Sequence, residues 1–506
     1  MRLRAEGLSR IPAPDVLVLG GGPAGCAAAL VLASGGHAVA LVRPERPPGA
    51  SLAQSIPPSA RALLGELGML DAIERAGFVP NRGNTAAWAG SPVRAEVFPD
   101  GGHGFHVDRA GLERALDAVI EQAGVTVVRG PAARFAERSG GAWHLRCLDP
   151  TGRTVRISAP WVVDATGRHG FFARKLGREP DRRTTTIALV SRVPEEEARS
   201  DHDGHTLIES YEDGWAWSVP VGPGARCVTA MVDPRETPID ADSLGGTLAR
   251  QLRKAPLIES ISGPGRRHPD AWACPASLYT SARYTDEGLV VAGDAGAFID
   301  PLSSYGVKKA LVSGRLAGIA IATCLEDASM TGAALAYHDA HERDVAATYR
   351  ARSADFFAEA AARYGHPFWS RRLEAAQSTA SPRASEPSPT ELAVAEADVR
   401  RAHAALRAAP RLRARPGATL RTITAPALAG RRIVLENHLA SDLHPRPARF
   451  HRSVDLRRLV ALAPRHHAVP ELWSAYNRSG PPADLPDFLT ALAAACAAGF
   501  LSTEEA

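Results

Sequence analysis

Cysteine is scarce and scattered. The six, Cys26, Cys147, Cys227, Cys274, Cys324 and Cys496, form no Cys-x-x-Cys pair, and none sits near histidine at metal-ligand spacing. They read as reduced core residues, with no metal site among them. Long apolar runs are also missing: no stretch reaches the ~18 residues that a membrane span requires. The amino terminus, Met1-Arg2-Leu3-Arg4-Ala5-Glu6, has no apolar signal core, so a cytoplasmic protein is expected. Nor is there an excess of charge of one sign. The 59 basic and 55 acidic side chains leave a net charge of +4, too balanced to expect nucleic acid or an anionic membrane as partner.

What is present is an ordinary globular composition, 45% hydrophobic and 23% charged, over 506 residues. That length is enough for about two to four domains and a sizeable core. The chain is organised around residues 289–311. Leu289 to Ala292 is an apolar, β-branched run that reads as a buried strand. It stops at Gly293-Asp294, where a carboxylate can accept hydrogen bonds from a polyol such as a ribityl chain. After Pro301, the segment Ser303-Ser304-Tyr305-Gly306-Val307 opens a helical pattern through Leu311, Leu316 and Ile319. Free N–H groups and the positive end of a helix dipole then face that turn, as suits a reduced, anionic flavin ring.

A partner motif lies near the amino terminus. Asp15-Val-Leu-Val-Leu19 leads into Gly20-Gly-Gly22-Pro23-Ala24-Gly25, then a small-residue helical pattern from Cys26 to Ser34 and a second strand, Ala38 to Val42. Gly20, Gly22 and Gly25 supply the Gly-x-Gly-x-x-Gly spacing of a βαβ dinucleotide unit: a tight turn, close approach to a pyrophosphate, and helix–strand packing. The second strand ends on Arg43 where an acidic residue normally holds the ribose hydroxyls. Glu45 reaches back, or Arg43 packs on adenine or contacts phosphate, or Arg43 is simply a solvent-exposed strand end.

Residues 44–58, rich in proline and glycine, are expected to form a loop, followed by an amphipathic helix from Ser59 to Leu67. Arg109 precedes a helix over Ala110 to Ala123, and either pairs with Asp108 or contacts a cofactor phosphate or ring. Trp143–Leu148 and Thr154–Ile157 read as a hairpin around Asp149-Pro-Thr-Gly152. Trp161-Val-Val-Asp-Ala-Thr-Gly167 reads as a strand with a glycine turn. Residues 184–232 alternate as strands, and in Trp215-Ala-Trp217-Ser-Val-Pro220 period two sets both indoles on one face, as core or as ligand wall. Helical pattern over 332–364 precedes His366-Pro-Phe-Trp369, residues 376–390 read as a linker, and the tail carries Arg400, Arg401, Arg407, Arg411, Arg413 and Arg415 on a solvated or partner-binding face. No second Gly-x-Gly-x-x-Gly follows a strand, so no separate nicotinamide domain is expected.

These three motifs together resemble the flavin monooxygenases and halogenases of the glutathione-reductase-like FAD fold, over about residues 14–373. The resemblance implies an α/β FAD-binding fold with an inserted antiparallel substrate sheet and a small helical carboxy-terminal domain. The expected divisions are 1–182 and 284–375 for the FAD-binding parts, 183–283 for the sheet, 376–390 for the linker and 391–506 for the tail domain. It sets Gly20, Gly22, Pro23, Ala24, Gly25, Arg43, Arg109, Ala133, Asp294, Pro301, Gly306 and Val307 at FAD-contact positions, with Trp215, Trp217 and Tyr305 as candidate substrate wall.

Within the family, the Trp-x-Trp-x-x-Pro motif and Phe298-Ile-Asp-Pro301 look like the halogenase branch, which needs a lysine to steer hypohalous acid. Arg61 stands at that lysine's position, and a guanidinium is a poor nucleophile and proton donor. Ser304-x-Gly-Val-Lys-Lys-Ala-Leu311 and the His-Pro-Phe-Trp segment look more like the maturation flavoproteins that hydroxylate a partner protein's tryptophan. The implied chemistry is hydroxylation of an indole or phenol, in a small molecule or a partner peptide, through reduced FAD, oxygen and a flavin C4a-hydroperoxide. The electrons come from NAD(P)H or a flavin reductase. Lys308 and Lys309 bind an acidic substrate group or lie on the helix surface. The alternatives are a flavin-dependent halogenase and a non-catalytic flavoprotein acting as a binding or chaperone module.

Overall fold

The computed structural model describes residues 2–3, 13–44, 52–130, 132–148, 154–194, 204–222, 224–240, 243–377, 391–408 and 414–503. Glu45, the Asp149–Gly152 turn, residues 378–390 of the expected linker, Arg411 and Arg413 lie outside the described residues.

Val16–Leu19 is apolar and buried at every position, as a strand covered on both faces must be. It belongs to a seven-stranded sheet in the order Arg2–Leu3, Thr126–Gly130, Val39–Pro44, Val16–Leu19, Trp161–Asp164, Leu289–Val291, Thr285–Asp286. All neighbours run parallel except the final pair. The register sets Leu19 beside Asp164, and Asp164 beside Val291. Three adjacent strands therefore end together, at Gly20, Ala165 and Ala292, on the carboxyl edge where such sheets bind ligands.

Two helices lock this edge. Pro23–Ser34 starts on a proline, whose missing N–H costs nothing in a first turn. Gly306–Glu326 lies against it at backbone contact: a Cβ at Gly314 would overlap the carbonyl oxygen of Ala24, and one at Gly318 would stand 2.9 Å from Val31 Cβ. A third helix, Arg109–Gln122, is capped by Asp108, whose carboxylate accepts from Gly111 N–H at 2.9 Å, and it buries Leu112, Leu116 and Ile120 at helical spacing.

The second seven-stranded sheet runs Trp272–Pro275, Ile187–Pro194, Ala225–Val232, Gly214–Gly222, His205–Tyr211, Gly83–Ala87, Arg94–Val97. It is not confined to residues 183–283: Gly83–Ala87 and Arg94–Val97 come from earlier in the chain, and Gly83–Ala87 pairs parallel to His205–Tyr211. The loop expected over 44–58 is interrupted too. Ala53–Ile56 is a strand, paired antiparallel with Gly104–Asp108. The dense prolines and glycines flanking it hide four residues that carry neither.

Trp215, Trp369, Phe357 and Phe368 are buried together on one face of this sheet. Trp369 Nε1 donates to Tyr211 O at 3.0 Å, and the indole meets Trp88 edge-to-face at 5.4 Å. The His366-Pro-Phe-Trp segment is thus a core anchor, opening a separate helix, Pro367–Gln377, that takes up the first two residues of the expected linker.

Residues 1–325 with 349–380 form one compact unit, and residues 326–348 with 381–506 form another. The second unit is helical, with Glu396–Ala408, Leu456–Leu462, Val469–Arg478 and Leu485–Ala497, and it also carries a hairpin, Arg421–Ala429 with Arg432–Ala440. Its core holds Leu459, Leu472, Tyr476, Phe488 and Leu492. Arg400 and Arg401 are exposed and pair with Glu396 and Asp398 on their own helix, as a solvated face does.

Candidate active site

The glycine motif is built for close approach. Gly20 sits at φ +102°, and a Cβ there would overlap the carbonyl oxygen of Ala165. A Cβ at Gly25 would overlap the carbonyl oxygen of Gly20, so neither position accepts a side chain. Gly22 ends the loop as the cap of the first helix, whose opening N–H groups face the cleft.

Three cavities run on from one another along this edge. The first, about 350 Å³, is lined by Gly20, Gly21, Gly22, Arg43, Arg109, Ala133, Arg134 and Phe171 among others. The second, about 290 Å³, shares Gly22 and Arg109 with it and adds Pro23, Ala24, Asp294, Gly306 and Val307. The third, about 120 Å³, shares Arg109, Asp294, Gly306 and Val307 with the second and continues to Pro301, Trp215 and Trp217. The trough therefore joins the glycine loop, the Gly293–Val307 segment and the antiparallel sheet.

Arg43 is not a solvent-exposed strand end. Its guanidinium donates to Gly21 O at 2.6 Å and pairs with Asp117, lying over the glycine loop with only 12% of its side chain exposed. Beneath it, burial pushes the Cys26 thiol up to about 12, with the nearby Arg43 charge pulling the other way, so this thiol stays protonated. Arg109 pairs with Glu113, one turn along its helix at 3.2 Å, and not with Asp108, which is committed to capping. Arg109 lines all three cavities.

On the other side, Gly293 sits at φ +64°, where a Cβ would stand 2.8 Å from Ala24 Cβ. That contact brings the late turn onto the first helix. By contrast, a Cβ at Gly306 would meet nothing within 4 Å, so the start of the Gly306–Glu326 helix opens onto space. Asp294 takes a 3.0 Å ion pair from Lys309 Nζ, which also donates to Ala297 O.

Some expected residues are elsewhere. Tyr305 is not among the residues lining the cavity; its ring packs 5.6 Å from that of Tyr349, with Lys308 Nζ 5.5 Å from its centroid. Lys308 and Lys309 are not on the helix surface. They are 8% and 4% exposed, because one reaches Ser59 Oγ at 3.3 Å and the other Asp294. Arg61 is drawn away by Glu74 and lies over the Phe105 ring at 5.1 Å. Gly25 acts in packing rather than as cavity wall.

The third cavity holds what sequence reading missed. Trp215 is buried and Trp217 half-buried, and with Ile208 and Phe298 they give it an aromatic and apolar wall. Gln54, Ser55 and Thr206 add polar groups; Ser55 was hidden in the segment read as loop, and Thr206 carries no motif. Asp300 is 8% exposed there, and burial pushes its carboxyl up to about 6, against a hydrogen bond from Leu302 N–H and the Arg372 charge. Asp164, part of the Trp161–Gly167 motif but given no role of its own in the sequence, accepts from Thr166, Phe172 and Ala173 N–H groups and so fixes the middle turn of the edge.

A dinucleotide fits this arrangement: glycines that admit no Cβ, two helix starts, and arginines flanking a long trough. A family model described as an FAD binding domain matches residues 13–351. LodB of Marinomonas mediterranea, named as an FAD-dependent oxidoreductase, is 27% identical over 310 residues, covering 59% of this chain and 82% of LodB. Among solved structures, the flavin-dependent halogenase CmlS is similar with a TM-score of 0.79 at 20% identity, over 98% of this chain and 97% of CmlS. The peptidyl tryptophan dihydroxylase QhpG, essential for tryptophylquinone cofactor biogenesis, has a TM-score of 0.66 at 23% identity, over 92% of this chain and 95% of QhpG.

Proposed function

The chain belongs to the FAD-binding-domain family, an enzyme of the oxidoreductase kind, and from that premise we propose that it is a monooxygenase hydroxylating an electron-rich aromatic, an indole or a phenol. The observation that carries this reading is the continuity of the trough. The residues expected at the flavin, Arg109, Asp294, Gly306 and Val307, also line the cavity walled by Trp215 and Trp217. An aromatic held there would lie against the reacting end of the cofactor.

Bound FAD supplies the electrons and the activation of oxygen. The chain's own residues orient and dry the site. The Gly20–Gly25 turn and the first helix would hold the pyrophosphate, with Arg43 keeping the loop closed from behind. Asp294, steadied by Lys309, would accept from ribityl hydroxyls. The N–H groups at Gly306 and Val307 would face the pyrimidine edge of the ring and favour negative charge there. The indoles would exclude water and stack the substrate.

Halogenation is the second reading, favoured by the likeness to a halogenase fold and opposed by Arg61, which is engaged by Glu74 instead of lining the cavity. The test is turnover of indole and phenol probes by the FAD-loaded chain, with NAD(P)H or a flavin reductase as reductant and with bromide present or absent. A product heavier by oxygen in both conditions supports the oxygenase. A bromide-dependent brominated product supports the halogenase, and no product with FAD bound leaves neither standing.

A further inference from the structure

Resting on the oxygenase reading, the hydrogen bonds at the wall of the third cavity go further and define what its substrate must carry. His106 Nε2 is 3.0 Å from Gly204 O, a carbonyl that can only accept, so Nε2 bears the proton. The ring is 1% exposed, and burial holds it neutral by pushing its pKa down to about 3. A neutral ring protonated at Nε2 has a bare Nδ1. Ser55 Oγ, 3.0 Å from that Nδ1, must therefore donate to it. With its only proton committed, Ser55 Oγ must accept in its 2.8 Å contact with Thr206 Oγ1, so the threonine donates. The polarity runs one way, from Thr206 through Ser55 and His106 to Gly204.

Both hydroxyls belong to residues lining the cavity. Having spent their protons on the relay, they have only lone pairs left for a ligand.

We infer that Thr206 and Ser55 form an acceptor-only specificity wall, which selects aromatic substrates bearing an O–H or N–H donor over their methylated or donor-free counterparts. Phenol and indole pass; anisole and 1-methylindole do not. His106 touches no substrate. It is a positioning residue that sets which way the relay points.

The test measures binding of the two matched pairs, phenol with anisole and indole with 1-methylindole, to the FAD-loaded chain, through perturbation of the flavin absorbance. In the wild type the donor-bearing member of each pair should bind at least about tenfold more tightly, the scale of one hydrogen bond in a water-poor site. Thr206→Ser, which keeps the hydroxyl, should retain that preference in full, and Thr206→Val should reduce it, leaving only the Ser55 acceptor, while FAD affinity stays unchanged. Equal or tighter binding of the methylated probes to the wild type overturns the inference without any variant having to fold. A preference undiminished in Thr206→Val, or a change of FAD affinity in that variant in place of a change of preference, overturns it too, the latter assigning the wall to the flavin. If FAD binds but none of the four probes perturbs it, the oxygenase reading itself fails, a result separable from loss of preference alone.

Discussion

At the scale of single residues, two glycines, one packed behind the trough and one lining it, should respond oppositely to the same change. Gly25→Ala forces a Cβ into the backbone oxygen of Gly20. It should lower stability by about 1–3 kcal/mol and, by opening the loop, abolish FAD binding. Gly306→Ala meets no protein atom. The flavin-free protein should melt at the wild-type temperature or above it, since alanine is the better helix former, while FAD affinity falls because the methyl enters the space assigned to the ring. Thermal melts with and without FAD separate the two.

Asp300 gives a pH dependence whose sign follows from its environment. Burial raises its carboxyl from 3.8 to about 6 in the folded chain. The folded state then holds that proton more tightly than the unfolded state. The stability so contributed is complete below the unfolded value and is lost as pH rises through about 6. Asp300→Asn cannot ionise, so its melting temperature relative to the wild type should rise between about pH 4 and about pH 7. A constant difference across that range would mean the carboxyl is not held protonated.

At the scale of elements, the trough depends on how closely the Gly306–Glu326 helix approaches the Pro23–Ser34 helix. Gly314→Ala drives a Cβ into Ala24 O, and should lower the melting temperature and weaken FAD binding together, because the two turns move apart. Gly332→Ala, at a helical position where a Cβ meets nothing within 4 Å, is the matched control and should leave FAD binding unchanged and the melting temperature at or above the wild-type value.

Much of this level was legible in the sequence. The two dinucleotide turns announced themselves because a strand stopping at glycine before a helix is a local pattern. The second sheet was only half legible: Gly83–Ala87 joins it by parallel pairing with His205–Tyr211, a contact between distant segments that leaves no local signature. The same holds within the site. Trp215 and Trp217 follow from period two, whereas Ser55 and Thr206 meet only because Ala53–Ile56, read as loop, is a strand beside the sheet. Lys308 and Lys309 look like surface residues on a helix until Ser59 and Asp294 supply their partners.

At the scale of the whole molecule, one compact unit carries the entire trough, from Arg43 to Trp217. Among the described residues, those that line the three cavities all fall between Gly20 and Ala310.

The chemistry itself is tested most directly by one measurement: the origin of the oxygen atom in the aromatic product. The FAD-loaded chain is reduced without air, given phenol or indole, and exposed to isotopically heavy dioxygen. The expected result is a hydroxylated aromatic carrying one heavy oxygen atom, formed only when FAD is bound. A hydroxyl that takes its oxygen from water, or reduced flavin that consumes the dioxygen and leaves the aromatic unchanged, would contradict it.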